Sequence, residues 1–390
     1  MSWETVKLGD IITTLKGYAF KSGRYVEKGC PIVRASNFTM DSISTDDLKF
    51  YSYEEAKEYE KYKLYTNDIL IQTVGSWEYN PNSVVGKVVH VPCDAEGALL
   101  NQNIVKIIPK EMVDNIYLYY RLKCTDFGKY NIGNAVGAAN QASITLDTIK
   151  AFAFNLPSIP EQKRIAAILS NYDNLIENNQ KQIKLLEEAA QRLYKEWFVD
   201  LHFPGYENVI ITDGVPEDWV KGTIGDIASF KRGKTITKDQ TKAGNIPVVA
   251  GGLEPAYYHN QENTSSPVIT VSGSGANAGF TRMYYTDIWA SDCSFVDSQS
   301  TNNIYFVYCG LKSKKNDIDA LQKGAAQPHV YAKDINALEM MIPNEDMLTL
   351  FDNNVSPLFE KIKNLYKQIE LSKEARDRLL PKLMSGEIEV

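Results

Sequence analysis

The chain has 390 residues, 44% hydrophobic and 23% charged, which suits two or three domains at roughly 100–200 residues each and indicates neither wholesale disorder nor a membrane protein. Its net charge of −7 excludes a uniformly basic nucleic-acid coat but leaves room for a local basic patch. No apolar run approaches the roughly 20 residues that cross a bilayer, and the opening "MSWETVKLGD" lacks the order of a secretory leader, so a cytoplasmic location is expected. Cys30, Cys93, Cys124, Cys293 and Cys309 form no C-x-x-C spacing, and His90, His202, His259 and His329 form no two-ligand helical motif. Structural thiols and no bound metal are therefore expected.

In chain order, residues 1–155 form a first module, with short β-rich runs such as "DILIQTV" and "VVGKVVHVP" between Gly, Asn and Pro turns. At "LPSIPEQKRIAAIL" (156–169) two prolines close an extended run, and a helical region, 156–200, begins. Here Ile165, Leu169, Tyr172, Ile176, Asn179, Ile183, Leu186, Ala190, Leu193 and Trp197 recur at spacings of four and three, a coiled-coil seam with one polar member. A linker, 201–214, leads to a second module, 215–342, with "PVITVSG" and "NIYFVYC", and then to a second helical region, 343–390.

The second half repeats the first. Trp3 to Ile11 aligns with Trp219 to Ile227 at an offset of 216, which also pairs Gly17 with Gly233 and Pro31 with Pro247. Later the offset is 186, pairing Pro157 with Pro343 and "KQI" at 181–183 with "KQI" at 367–369. Most of the first copy's excess is placed near 40–66. Shifted by 186, the seam becomes Phe351, Val355, Leu358, Ile362, Leu365, Ile369, Ser372, Arg376, Leu379 and Leu383, apolar except at Ser372 and Arg376. Two such seams in one chain bury each other, and a pseudo-two-fold repeat makes the helices antiparallel. Ser356-Pro357 reads as an N-cap and first helical residue, splitting each region into a short and a long helix. The long piece, from about Tyr172 to Phe198, would span roughly 40 Å. The expected fold is α+β, with two pseudo-symmetric, β-rich modules of mixed α/β structure joined by two long antiparallel helices.

Two diverged modules on a spacer of fixed length suit an asymmetric, bipartite target. Duplex DNA is the natural one, because one turn of about 34 Å matches such a spacer. No phosphate loop, no Asn/Asp-Pro-Pro-aromatic motif and no metal cluster stands in the sequence, so no catalytic residue is assigned. "VITVSGSGANAGF" (268–280) imitates a dinucleotide-binding turn, but its glycine spacing is one residue too long and a β-like run follows. A structural adaptor binding protein or carbohydrate across a helical spacer is the alternative.

The residues then resemble a known family. The doubled Trp-to-Gly-Asp-Ile opening, "GAANQASITLDTI" (137–149) echoed by "GAAQPHVYAKDI" (324–335), the 156–169 junction and the repeated helices are together similar to the specificity subunits of type I restriction–modification systems. The resemblance implies two target-recognition domains joined by antiparallel helices that dock two copies of an N6-adenine methyltransferase subunit. It implies further that the assembly recruits ATP-dependent motor-nuclease subunits, so that S-adenosylmethionine and ATP belong to partners and this chain binds no cofactor. The second junction, "MIPNEDMLTLF" (341–351), lacks the Glu161-Gln162 pair of the first, leaving open whether that pair caps a helix or meets a partner.

Phosphate contacts call for Lys and Arg, and base edges for Asn, Gln, Ser and Arg. In the second module the basic run Lys231, Arg232, Lys234, Lys238 and Lys242 and the loop with Ser272, Ser274, Asn277 and Arg282 are the candidates, weighed against a solvated loop. In the first, Lys16, Lys21, Arg24, Arg34 and Asn37 stand at comparable places, with Gln72, Ser76, Tyr79 and Asn80 from "QTVGSWEYNPNS". Gln141 and Gln327 share the Gly-Ala-Ala context, with framework and phosphate contact equally open. Asn179 either fixes helix register or is tolerated at a half-exposed site. The outward residues Lys163, Arg164, Lys181, Lys184, Glu187, Lys195 and Glu196 are candidates for the methyltransferase interface through the resemblance alone.

Overall fold

A computed structural model describes residues 3–77, 83–138, 141–323 and 328–390. The chain divides into two compact units, Met1–Ile176 with Glu370–Val390, and Glu177–Ile369. Each unit therefore holds one module and a stretch of both long helices, Ile159–Tyr194 and Glu345–Ser385.

The modules share one topology. In the first, Ile12–Lys16, Ile104–Pro109, Ile69–Gln72 and Val88–His90 lie side by side in that order, all antiparallel. In the second the same order is Lys231–Arg232, Cys293–Asp297, Val268–Ser272 and Thr281–Tyr284. Ile69–Gln72 and Val268–Ser272 are buried at every position, which is why they read as continuous apolar runs rather than alternating ones. A smaller three-stranded sheet flanks each: Lys49–Tyr51, Cys30–Val33 and Leu99–Leu100, against Tyr257–His259, Ile246–Val249 and Trp289–Ala290. In each, the strand carrying the repeated proline, Pro31 or Pro247, runs parallel to the third.

The repeated glycines follow from this pairing. A Cβ on Gly17 would lie 1.9 Å from the Asn101 carbonyl oxygen, and one on Gly233 would lie 2.3 Å from that of Ser291. Both mark where the chain crosses the end of the parallel strand too closely for a side chain. The larger part of the first copy's excess falls between its paired strands at 34–68, against 250–267 in the second.

In the first unit, Ile165, Ala166 and Leu169 of the first helix join Leu383 and Met384 of the second in one core with the module's Tyr117, Leu118 and Phe127. Asp173 meets Arg376 at 2.5 Å, so the helices run antiparallel there. In the second unit, Asn179 Nδ2 donates to Gln368 Oε1 at 3.2 Å and Trp197 packs on Phe351 at 5.8 Å, again antiparallel. Asn179 is buried, with Ile183, Ile362, Leu365 and Ile369 of the same seam equally buried. Its amide thus finds a partner where a seam residue would be apolar. Burial departs from the predicted seam in places: Tyr172, Leu186, Leu193 and Leu379 are half-buried, while Tyr194 and Phe359, each one position beyond a seam residue, are fully covered.

The opening tryptophans have matching roles. Trp3 packs over Gly386 at the end of the second helix, and Trp219 lies 5.7 Å from Phe198 at the end of the first. Phe203 stacks 4.6 Å from Trp219, so the start of the 201–214 linker is packed rather than slack.

The expected break before each long helix is absent. Ile159–Tyr194 and Glu345–Ser385 are each one helix, with Pro357 inside the second. Proline in a helix interior loses a hydrogen bond and costs about 3 kcal/mol, but Phe351, Val355, Phe359 and Ile362, each at most 1% exposed, hold the helix on both sides of it.

Glu161 and Gln162 are both accounted for inside the first unit. Glu161 Oε2 accepts from the Ser158 amide at 3.1 Å and from its hydroxyl at 2.7 Å, and these bonds lower its carboxyl pKa. Gln162 is wholly buried. Its Oε1 accepts from the Asp114 amide at 2.8 Å, and its Nε2 donates to the Pro157 and Met112 carbonyls. Shifted by 186, Gln162 becomes buried Leu348, and Asn344 alone caps the helix by accepting from the Met347 amide at 3.0 Å. Gln162→Ala should destabilise the first unit by about 1–3 kcal/mol, since it strands an amide and two carbonyls away from water. Glu161→Ala should cost less. Chemical denaturation measures both, and equal, negligible losses would show Gln162 to be dispensable for folding.

Candidate nucleic-acid interface

Sheet register decides which predicted residues meet. In the first module Lys16 pairs with Val105 and Gln72 with Ile104, so the ends of two strands and the start of a third share one end of the sheet. Val74–Gly75 then joins the hairpin Val136–Ala138 and Gln141–Ser143 as a small sheet at that end. Trp77 Nε1 donates to the Ala138 carbonyl at 3.0 Å, tying the two loops together. Lys16 and Gln141 are exposed there.

The second module repeats the construction. Arg232 pairs with Ser294 and Ser272 with Cys293, bringing the basic strand and the 273–280 loop to one end. The loop is held by the residues after the Gly-Ala-Ala motif: Gly275 donates its amide to the Pro328 carbonyl, and Val330 donates to that of Gly273. Asp292 sits beneath. The Ser274 hydroxyl donates to its Oδ2, and Arg232 lies 3.9 Å from its Oδ1. Lys231, Arg232, Lys234 and Lys238 are exposed, as is Lys242 beyond them. Among the described residues Asp292 is the one acid within ion-pair distance of this run. A cationic edge with so little internal neutralisation can release condensed counterions when it meets phosphates.

Several predicted base readers are framework instead. Asn37, 4% exposed, accepts from the Arg34 amide and donates to the Asp47 carbonyl. Gln72, 1% exposed, donates to the carbonyls of Val74 and Ser83. Ser272, 3% exposed, donates to the Gly251 carbonyl at 3.1 Å. Ser76 is buried as well. Turns need the same donors and acceptors that base edges need, so residue type alone did not separate the two uses. Arg34 is half-buried on Asp47 at 3.5 Å, and exposed Arg24 pairs with Glu55 at 2.6 Å, which raises its pKa. Arg282 lies over the Tyr284 ring and donates to the Leu253 carbonyl at 2.7 Å. Asn277 is half-buried, with its amide 3.4 Å from the Gly251 carbonyl. Lys21 is exposed in the segment that leads to Cys30–Val33. Tyr79, Asn80 and Gln327 lie outside the described residues.

The structure adds residues that the sequence reading passed over. His329 and Tyr331 stack at 6.0 Å and 14° beside the second module's loop, with Tyr331 44% exposed, and half-buried Trp77 lies in the first module's loop. An aromatic residue within a Gly-, Ser- or Ala-rich loop was the available signal. No helix among the described residues is long and apolar enough to cross a membrane.

Comparison with known proteins places this arrangement. Residues 1–188 and 216–378 match the family described as type I restriction modification DNA specificity domain, once for each copy of the repeat. The chain is 31% identical over 74% of its length to the type I restriction enzyme MjaIX specificity subunit of Methanocaldococcus jannaschii, covering 73% of that protein. It is 24% identical over its whole length to a putative type I restriction enzyme MjaX specificity subunit of the same organism, covering 94% of it. The crystal structure of a type I restriction–modification S subunit from M. genitalium superposes with a TM-score of 0.56 at 18% identity, over 98% of this chain and 96% of that one, and shares the fold. With both halves matched, the chain belongs to the type I restriction–modification DNA specificity family.

Proposed function

We propose that this chain is the non-catalytic recognition subunit of a cytoplasmic type I restriction–modification complex, each module reading one half of an asymmetric bipartite DNA site. The observation that carries this reading is the repeated construction with changed contents. In both modules the same strand ends and the same Gly-Ala-Ala-derived loop meet at one end of the sheet, yet Lys16, Val74 and Ser143 in one stand where Arg232, Ser274 and His329 stand in the other. A shared scaffold with diverged loops gives two readers of different sequences.

On this reading the long helices fix the gap between the half-sites and dock two methyltransferase subunits, with motor-nuclease subunits joining the assembly. S-adenosylmethionine and ATP are used by those partners. Exchanging residues 215–342 for the corresponding module of a relative, followed by modified-base sequencing of DNA from cells expressing the complete complex, tests it. One half of the methylated motif should change, while the other half and the gap stay. If both halves change, the modules are not independent readers; if no motif appears with either chain, sequence recognition is not its task.

A further inference from the structure

The basic run of the second module leaves its sheet almost at once. Lys231–Arg232 pairs in the four-stranded sheet, and the next regular elements are a 3-10 turn at Lys238–Gln240 and the strand that starts at Ile246. Lys234, Lys238 and Lys242 stand exposed along this stretch. Cations on a slack segment would give up backbone freedom each time they were held against a ligand, and binding would be weaker for it.

The small sheet of Tyr257–His259, Ile246–Val249 and Trp289–Ala290 removes that freedom beforehand. Trp289 Nε1 donates to the Lys234 carbonyl at 2.7 Å, and the Tyr257 hydroxyl donates to the Ile236 carbonyl. His259 Nδ1 accepts from the Lys242 amide at 3.0 Å, which requires a neutral imidazole with its proton on Nε2. The His259 ring is 5% exposed and meets the Trp289 ring edge-on at 5.2 Å, so each steadies the other. All these bonds go to backbone atoms. They fix the path of the run whatever side chains it carries.

The first module ties down the matching segment. Tyr51 pairs with Cys30, and His259 with Ile246, the residues that precede the repeated prolines. The Tyr51 hydroxyl accepts from the Lys21 amide at 2.9 Å and donates to the Lys21 carbonyl at 3.2 Å. Shifted by 216, Lys242 falls on Val26, whose amide donates to the Phe50 carbonyl at 3.0 Å. A backbone carbonyl does there what the His259 imidazole does in the second module.

We propose that Tyr257, His259 and Trp289 are positioning residues, which hold Lys234, Lys238 and Lys242 in place for phosphates before DNA arrives. None of the three has to touch DNA. The inference rests on the proposed function and adds how the cations of one module are prearranged.

Tyr257→Phe, His259→Phe and Trp289→Phe each remove a hydrogen-bonding atom and keep an aromatic ring. The chain is assembled with its methyltransferase subunits, and three quantities are read: DNA affinity, the methylated motif, and the rate of tryptic cleavage after Lys234, Lys238 and Lys242. In the triple variant cleavage should quicken and affinity should fall by about tenfold, with the motif unchanged. His259→Asn keeps an acceptor near the place of Nδ1 and should resist trypsin better than His259→Phe; equal cleavage of the two would remove His259 from the strap. In a chain that already carries Lys234→Ala, Lys238→Ala and Lys242→Ala, the three aromatic changes should weaken binding no further. A general loss of stability would weaken it in both backgrounds. Equal weakening in both, or faster cleavage with unchanged affinity, would overturn the positioning role and leave the proposed function intact. Unchanged cleavage would overturn the strap itself. An unaltered complex that prefers no DNA sequence would overturn the proposed function, and the inference with it.

Discussion

Arg376→Ala should destabilise the first unit by about 3–5 kcal/mol, the range for removing one partner of a buried ion pair. Arg376 is 11% exposed at its side chain and Asp173 21%. Nη1 meets Asp173 Oδ1 at 2.5 Å, and the Tyr120 hydroxyl donates to Oδ2 of the same carboxylate at 2.5 Å. Behind them Asp41 lies 3.8 Å from Arg376 and 2.7 Å from Lys123. Burial opposes the charge on Arg376, but Asp173, then Asp41 and Asp377, hold the guanidinium protonated more firmly than in a free arginine. Burial and the Asp173 charge together push the Tyr120 hydroxyl far up, so it remains a donor. Truncating Arg376 leaves the half-buried Asp173 carboxylate with only that hydroxyl.

The other end of the helix pair supplies the compensating change. Shifted by 186, Asp173 corresponds to Phe359 and Arg376 to Ala190, 1% and 0% exposed. Phe359 there stacks on Tyr305 at 4.4 Å and 2°. Combining Asp173→Phe with Arg376→Ala should therefore recover most of the loss, because an apolar pair of suitable volume replaces the charges. Chemical denaturation decides it; a single-variant loss under about 1 kcal/mol would show that the ion pair contributes little.

Acid sensitivity should move with it. Burial pushes the Asp41 carboxyl up, but Lys123, Arg376 and Lys373 together hold it below its usual value. A lowered folded-state pKa gives stability that is present above the unfolded value of about 3.9 and lost as pH falls through the folded one. Without Arg376 the Asp41 pKa rises toward the unfolded value, and acid unfolding should begin at higher pH.

The two departures from the apolar seam, Ser372 and Arg376, show where sequence reading stops. Periodicity located the seam, since a helix stripe is a one-dimensional property, and the internal repeat supplied its antiparallel pairing. Asp173 stands one position beyond the seam residue Tyr172 and 203 residues from Arg376, and nothing in the local pattern joins them. The repeated glycines were legible as equivalences, although the carbonyls that forbid a side chain, Asn101 and Ser291, emerge only with the parallel pairing. Pro357 misled because a local rule was outweighed by tertiary packing around Phe351 and Phe359. Asn37, Gln72 and Ser272 misled because burial, not chemistry, separates a turn builder from a base reader. The charged edge at Lys231–Lys238 was legible because composition alone concentrates it.

Replacing Lys231, Arg232 and Lys234 together by alanine should weaken DNA binding by the assembled complex without changing the motif it methylates. All three are exposed, two on the edge strand and one just beyond it, on the side of the sheet's end where Ser274 and Asn277 stand. Such cations act on phosphates, which carry no sequence information. Each phosphate left without its cation should make the dependence of log affinity on log salt shallower by about 0.9, so the weakening is largest at low salt and shrinks as salt rises. Gln141→Ala, in the other module, should behave differently. Its exposed amide offers a donor and an acceptor beside Trp77 and Ala138, so its removal should relax one base position in a single half-site, by about 1–3 kcal/mol, with little change in salt slope. Binding isotherms at several salt concentrations and sequencing of the methylated motif separate the two behaviours. An unchanged salt slope in the triple variant would remove the basic edge from the interface. A shallower slope in Gln141→Ala with the motif intact would make Gln141 a phosphate contact, not a reader.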